Sequence, residues 1–142
     1  MSLNTQIIGK TMPHGFAGTY ARQPDMIVNT RPVGGTENIP FGTALSYTDQ
    51  NTGAYTTGDA GSVFQRGSIN VLCQRGTPAL GGDVYVRIAK TADYATALVG
   101  GFEAEADEKT AGNSVKLTNC QWGGAADANG VAELVILTRA NA

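Results

Sequence analysis

The sequence predicts an all-β fold: a small single-domain β-sandwich, jelly-roll-like, or a β-barrel, with an extended N-terminal arm. Three observations point there. The chain has 19 glycines, nearly twice the average usage, and few of the Leu, Glu and Lys residues that fill surface helices. Residues 68–73 and 84–88 alternate between two faces with the period of a half-buried strand. Turn residues recur at roughly ten-residue intervals, as in proteins built from many short strands. With 142 residues the chain has the size of one domain and can bury a core without disulfides.

The elements follow in order. Residues 1–40 read as the arm and residues 41–142 as the β-domain. The arm carries Pro13, Pro24, Pro32 and Pro40, and its apolar residues keep no period. Proline cannot donate to a sheet ladder and disfavours helix at the residue before it, so extended chain with short edge pairings is expected. Such an arm lies either on its own core or on a neighbouring subunit. Residues 41–47 (FGTALSY) read as a first strand and residues 48–62 as a polar loop. In residues 68–73, Ile69, Val71 and Cys73 share one face, and Asn70 and Leu72 the other. After a turn at 76–82, Val84, Val86 and Ile88 share a face, and Tyr85 and Arg87 the opposite one; these two strands are expected to pair or lie close together. Helical spacing competes only in 89–98, where Thr91 and Thr96 argue for a loop. Val115 and Leu117 follow Gly112 and Asn113, Asn129-Gly130 is a turn signal, and residues 132–138 form a closing strand buried on both faces.

Composition excludes several function classes. Ten basic and twelve acidic residues leave a net charge of -2, which does not suit a protein that neutralises nucleic-acid phosphates or an anionic membrane. The longest aliphatic stretch, residues 134–137, is far short of a membrane span, and the N-terminus has no export-signal pattern. Cys73 and Cys120 have no neighbouring Cys or His to complete a zinc or redox motif and read as small buried apolar residues. The single histidine, His14, sits in the Gly/Pro arm, where an exposed or interface position is expected. Phosphate-loop, dinucleotide and zinc-protease motifs are absent, so no cofactor is called for. Glu103, Glu105, Asp107 and Glu108 alternate largely with alanine; at i, i+2, i+4 on a strand they would share a face. The expected reading is a solvated acidic edge that discourages edge-to-edge pairing, with a calcium site or an acid/base pair of a small hydrolase as the alternatives. The aromatic residues form no single stripe, and core or loop anchoring is expected of them. Trp122 and the tyrosines support one rival function, a carbohydrate-binding β-sandwich module; equally, Trp122 is a core anchor with its indole N–H bonded to backbone.

The order of segments carries a resemblance. Phe16-Ala17-Gly18, then Met26-Ile27-Val28, then Ile39-Pro40-Phe41-Gly42 resembles the N-terminal pattern of tailed-phage structural cement, or head decoration, proteins. Residues 63–88 look like that family's basic residue with glycine, strand, Gly-Asp turn and V-Y-V-like strand, and Trp122 followed by residues 130–137 is similar to its late Trp, turn and closing strand. Residues 51–61 and 91–113 depart from the pattern.

The resemblance implies a non-enzymatic protein on the outer surface of an expanded phage head. It would bridge neighbouring major capsid protein subunits and assemble with itself as a homodimer or homotrimer, with no nucleic acid and no membrane as partner. Assembly would take place in the cytoplasm of the bacterial host, where the cysteines stay reduced. The residues singled out for partner contacts are Phe16, Tyr20, Arg22, Ile27 and Phe41, each of which has the alternative of packing on its own domain.

Overall fold

A computed structural model describes residues 14–32, 42–44 and 60–138. Among these residues the chain forms seven strands, β1 (Tyr20–Pro32), β2 (Ala60–Leu72), β3 (Val84–Arg87), β4 (Phe102–Glu103), β5 (Ser114–Leu117), β6 (Cys120–Trp122) and β7 (Val131–Ile136), and one 3-10 turn at Ala92–Tyr94. The strands make two antiparallel sheets, one in the order β1-β2-β7-β6 and one in the order β4-β3-β5. This is a small β-sandwich and not a closed barrel. Between named strands of the two sheets there is no ladder; an isolated bridge joins Cys73 to Phe102.

The core lies between the sheets. Ile69 sits opposite Leu134, which sits opposite Trp122, and Val71 sits opposite Ala132, so one face of β2-β7-β6 presents a continuous apolar row. Val84 and Phe102 meet it from the second sheet, with Leu117, Cys73 and Cys120 packed around them. The alternation expected for residues 69–73 is therefore the observed one; the closing strand is buried on both faces over residues 131–134 but ends at Ile136, and Leu137 and Thr138 beyond it are exposed. Ala132 and Leu134 point into the sandwich, while Val131 and Glu133 are covered on the outer side. Gly123 contributes to that cover. Its amide donates to the Glu133 carbonyl at 2.8 Å, and a Cβ there would stand 2.8 Å from the Glu133 side chain.

Three expectations meet a different outcome. β2 and β3 do not pair; they belong to different sheets, and β3 has β4 and β5 as neighbours. Local alternation reveals a strand's faces but not its partner. Ile88 lies beyond the end of β3 and is largely exposed, so it does not extend the Val84 and Val86 row. Gly42 is in a turn and Thr43 and Ala44 are not in a strand; the rest of the strand expected at 41–47 and most of the loop at 48–62 lie outside the described residues. The 89–98 stretch, where helix competes with loop, makes the single 3-10 turn.

Both sheet edges are irregular. At one edge β1 runs antiparallel to β2 with register shifts between Tyr20 and Arg22, Arg22 and Ile27, and Ile27 and Val28, around Pro24, which has no amide to offer a ladder. At the other, the tight turn closed by Gly82 N–H donating to Ala79 O covers β6. Gly81 donates to the Trp122 carbonyl at 2.8 Å, and Trp122 donates to the Gly82 carbonyl at 3.1 Å.

Candidate functional site

The acidic segment, a candidate for chemistry, proves structural. β4 ends at Glu103, so the alternation that would put its carboxylates on one exposed face stops there. Glu103 turns under β3 and is fully buried against Arg87, itself fully buried. Arg87 Nε donates to Glu103 Oε1 at 2.6 Å and Nη2 to Oε2 at 3.2 Å, a bidentate fork, while Nη1 donates to Asp107 Oδ2 at 3.0 Å. Arg75 approaches the other side of Glu103 at 3.7 Å and donates to the Ala106 carbonyl at 2.8 Å. Tyr94 lies beneath both guanidinium groups, 4.3 Å from that of Arg75 and 5.2 Å from that of Arg87. Gln74 closes the group, bonding Glu103 Oε1 and both the amide and the carbonyl of Leu98. The solvated acidic edge is thus a correction: Glu105 and Glu108 are exposed, but Glu103 and Asp107 are internal anions held by an internal cation. Every oxygen of that pair is engaged, by Arg87, Gln74, Arg75 or the amides of Lys109 and Thr110, an arrangement that locks loops onto the second sheet. Among the described residues no group of His, Cys, Asp and Glu side chains is arranged to hold a metal ion.

Asp107 and Asp127 are both turn-closing carboxylates. Burial raises the Asp107 pKa, but the amide of Thr110, the Arg87 guanidinium and the amide of Lys109 outweigh it, so the net shift is below 3.8. Burial likewise pushes Asp127 up and is overcome by the amides of Val131, His14 and Asn129. A carboxyl that is more acidic when folded stabilises the native state fully above its ordinary pKa, and that stabilisation drains away as pH falls through the lower folded value. The denaturant midpoint followed by Trp122 fluorescence should therefore hold steady between about pH 7 and pH 5 and fall below 3.8. Asp127→Asn should flatten part of that fall.

Of the contact candidates, Phe16 lies in the turn before β1, and Tyr20, Arg22 and Ile27 lie along β1. Phe16 is 82% exposed at the tip of a turn in which Thr19 N and Thr19 Oγ1 both donate to the Phe16 carbonyl, at 3.1 and 2.6 Å. Tyr20 is half exposed, its ring 6.0 Å from that of Phe64. Ile27 is half-buried at the level of Arg66 on β2. Arg22 stands opposite Ser68 in the backbone ladder, and its side chain lies outside the described residues, as does Phe41 altogether. Gly42, next in sequence, packs on this turn: its φ is +75°, and a Cβ there would lie 3.0 Å from Gly18 N. His14, exposed as expected, approaches the Ala125 carbonyl with Nε2 at 3.2 Å.

Reading the sequence misses what holds this turn. Asn70 is expected on the outer face of its strand, and it is there, yet it is buried. Its amide donates to Thr19 O and its carbonyl accepts from Gly18 N, both at 2.8 Å; its side-chain Nδ2 donates to His14 O at 2.7 Å and to Thr19 Oγ1 at 3.0 Å. Asp127 Oδ2 accepts from His14 N at 3.0 Å. An asparagine among strand-forming residues is the one local hint.

The carbohydrate reading loses its anchor. Trp122 is 0% exposed, at the centre of the core, and offers no face to a sugar. Among the described residues its indole N–H has no hydrogen-bond partner, so the expected bond to backbone is not seen there. The cysteines are free and partly buried. Burial pushes the Cys120 thiol up to about 11 and raises that of Cys73, which keeps both protonated and inert.

A family model described as XM1 gp53 minor capsid protein matches residues 43–136, about two thirds of the chain and every strand from β2 to β7. The chain belongs to that phage minor capsid protein family. It is accordingly a structural protein of the virion, associated with the capsid. The matched span contains the buried charge group and Trp122, while the Phe16 turn and β1 precede the match. No curated protein matches the chain at a significant level.

Proposed function

We propose that this capsid protein is a non-enzymatic cement, or decoration, protein that sits on the outer surface of the expanded head and bridges neighbouring major capsid protein subunits. Membership of a minor capsid family carries this reading. Three features support it: a sandwich fastened internally by the buried Arg87, Glu103 and Asp107, an exposed aromatic turn, and a weak net charge of -2 suited to a place away from packaged DNA. Residues 1–40 would serve as the contact segment, joined to the β-domain of residues 41–142 through the pairing of β1 with β2. Phe16, Tyr20, Arg22, Ile27 and Phe41 would make the contacts. Homodimers or homotrimers would occupy lattice axes, where several modest contacts per assembly add up to tight retention.

Purified protein added to expanded heads that lack it should co-sediment to saturation and raise the temperature at which the heads release DNA. Heads that bind none, or whose release temperature does not change at full occupancy, would count against the reading.

A further inference from the structure

Phe16 is the most exposed of the large apolar side chains among the described residues, and the turn beneath it is among the most heavily fastened pieces of backbone. A single exposed phenylalanine is ordinary on a protein surface. A rigid one is less so. The chain commits a buried asparagine, whose Oδ1 has no partner, and a carboxylate bonded to His14 N to fix a loop whose tip makes little contact with the rest of the molecule. Left-handed glycines at 15 (φ +113°) and 18 (φ +85°) flank the tip and let the chain reverse tightly there.

We infer that the turn at residues 16–19 is a preorganised plug that seats the Phe16 ring in an apolar socket on a capsid subunit, with Thr19 and Asn70 as its positioning residues. This rests on the capsid-binding reading above. Holding a ring in its bound position before contact removes the ordering cost that a mobile side chain would pay on association, and a buried aromatic anchor concentrates binding energy. Half-exposed Tyr20 beside it presents an apolar ring and a polar tip, suited to a socket that is dry at its centre and hydrogen-bonding at its rim. The plug precedes the family-matched span while Asn70 and Asp127 lie within it, so the matched span carries the clamp and the preceding segment supplies the ring that seats.

The test compares full-length wild type, Phe16→Ser, Phe16→Leu and Thr19→Val for affinity to expanded heads, melting temperature and self-association. Phe16→Ser should leave melting unchanged and weaken head binding by roughly tenfold to a hundredfold, the effect of one lost buried aromatic contact. Phe16→Leu should keep most of the affinity. Thr19→Val removes the hydroxyl that donates to Phe16 O and accepts from Asn70; it should weaken binding severalfold through a faster on-off exchange even where melting is unaltered. Phe16→Ser that binds heads like wild type overturns the inference while leaving the cement reading intact. Loss of self-association with unchanged head affinity also overturns it, by placing the socket on a second copy. Wild type that fails to bind heads overturns both.

Discussion

Replacing Arg87 by methionine should cost about 3–5 kcal/mol of folding stability, because it strands Glu103 and Asp107 in the interior without their counter-charge. Burial of the three groups is tolerated only as a set: the guanidinium satisfies both Glu103 oxygens and one Asp107 oxygen, and its own pKa is raised first by the Glu103 bond, so it stays charged at any pH the fold survives. The cost belongs to the broken pair rather than to the pair itself. Arg87→Met combined with Glu103→Leu should therefore recover part of the loss, since it removes one of the two stranded carboxylates and leaves Asp107 with only the amides of Lys109 and Thr110. Chemical denaturation of the two single variants and the double variant checks this. Additive losses would mean that the residues do not act as a unit.

Trp122→Ala should destabilise by about 3–5 kcal/mol, the usual cost of emptying a large aromatic site in a core. Trp122 touches both sheets' contributions to the core, with Leu134 opposite it in the ladder, so the cavity cannot be closed by one neighbour moving in. Trp122→Phe discriminates packing from polarity. The indole N–H has no partner among the described residues, so its removal forfeits no hydrogen bond there and relieves a buried donor. Phenylalanine should recover more than half of the alanine loss; circular dichroism through a urea titration measures it, since the only tryptophan is gone. A phenylalanine variant as unstable as the alanine one would mean that the indole nitrogen is bonded in solution.

Legibility of the sequence follows the range of the interactions concerned. Ile69, Val71 and Cys73 announce an inward face because a strand's period is local, and the run ending in Leu134 and Ile136 reads as buried for the same reason. The all-β class is readable on the same terms. The pairing of β2 with β7 rather than β3 is not, since it depends on segments about sixty positions apart. The buried charge group is harder still. Arg87 stands on the face opposite Val84, as alternation requires, but nothing in alternation says that residues 89–110 will fold over that face. Glu103 and Asp107 look solvated because isolated carboxylates usually are, and only the partner sixteen or twenty positions earlier reverses the expectation. The aromatic residues divide likewise: Trp122 is spent inside, Tyr94 lies half-buried against the two guanidinium groups, and Tyr20 and Phe16 are presented.

The irregular edges of the four-stranded sheet bear on how many copies can live side by side. On the cement reading proposed above, many copies on one shell would meet at a local concentration at which open strand edges tend to zip into continuous sheets, molecule to molecule. Here the β6 edge is occupied by the chain's own Ala79–Gly82 turn, and the β1 edge is broken by register shifts and by Pro24. Crowding then favours contacts made through side chains, which can be released and remade as a shell fills, over backbone fusion, which would turn an ordered coat into an aggregate.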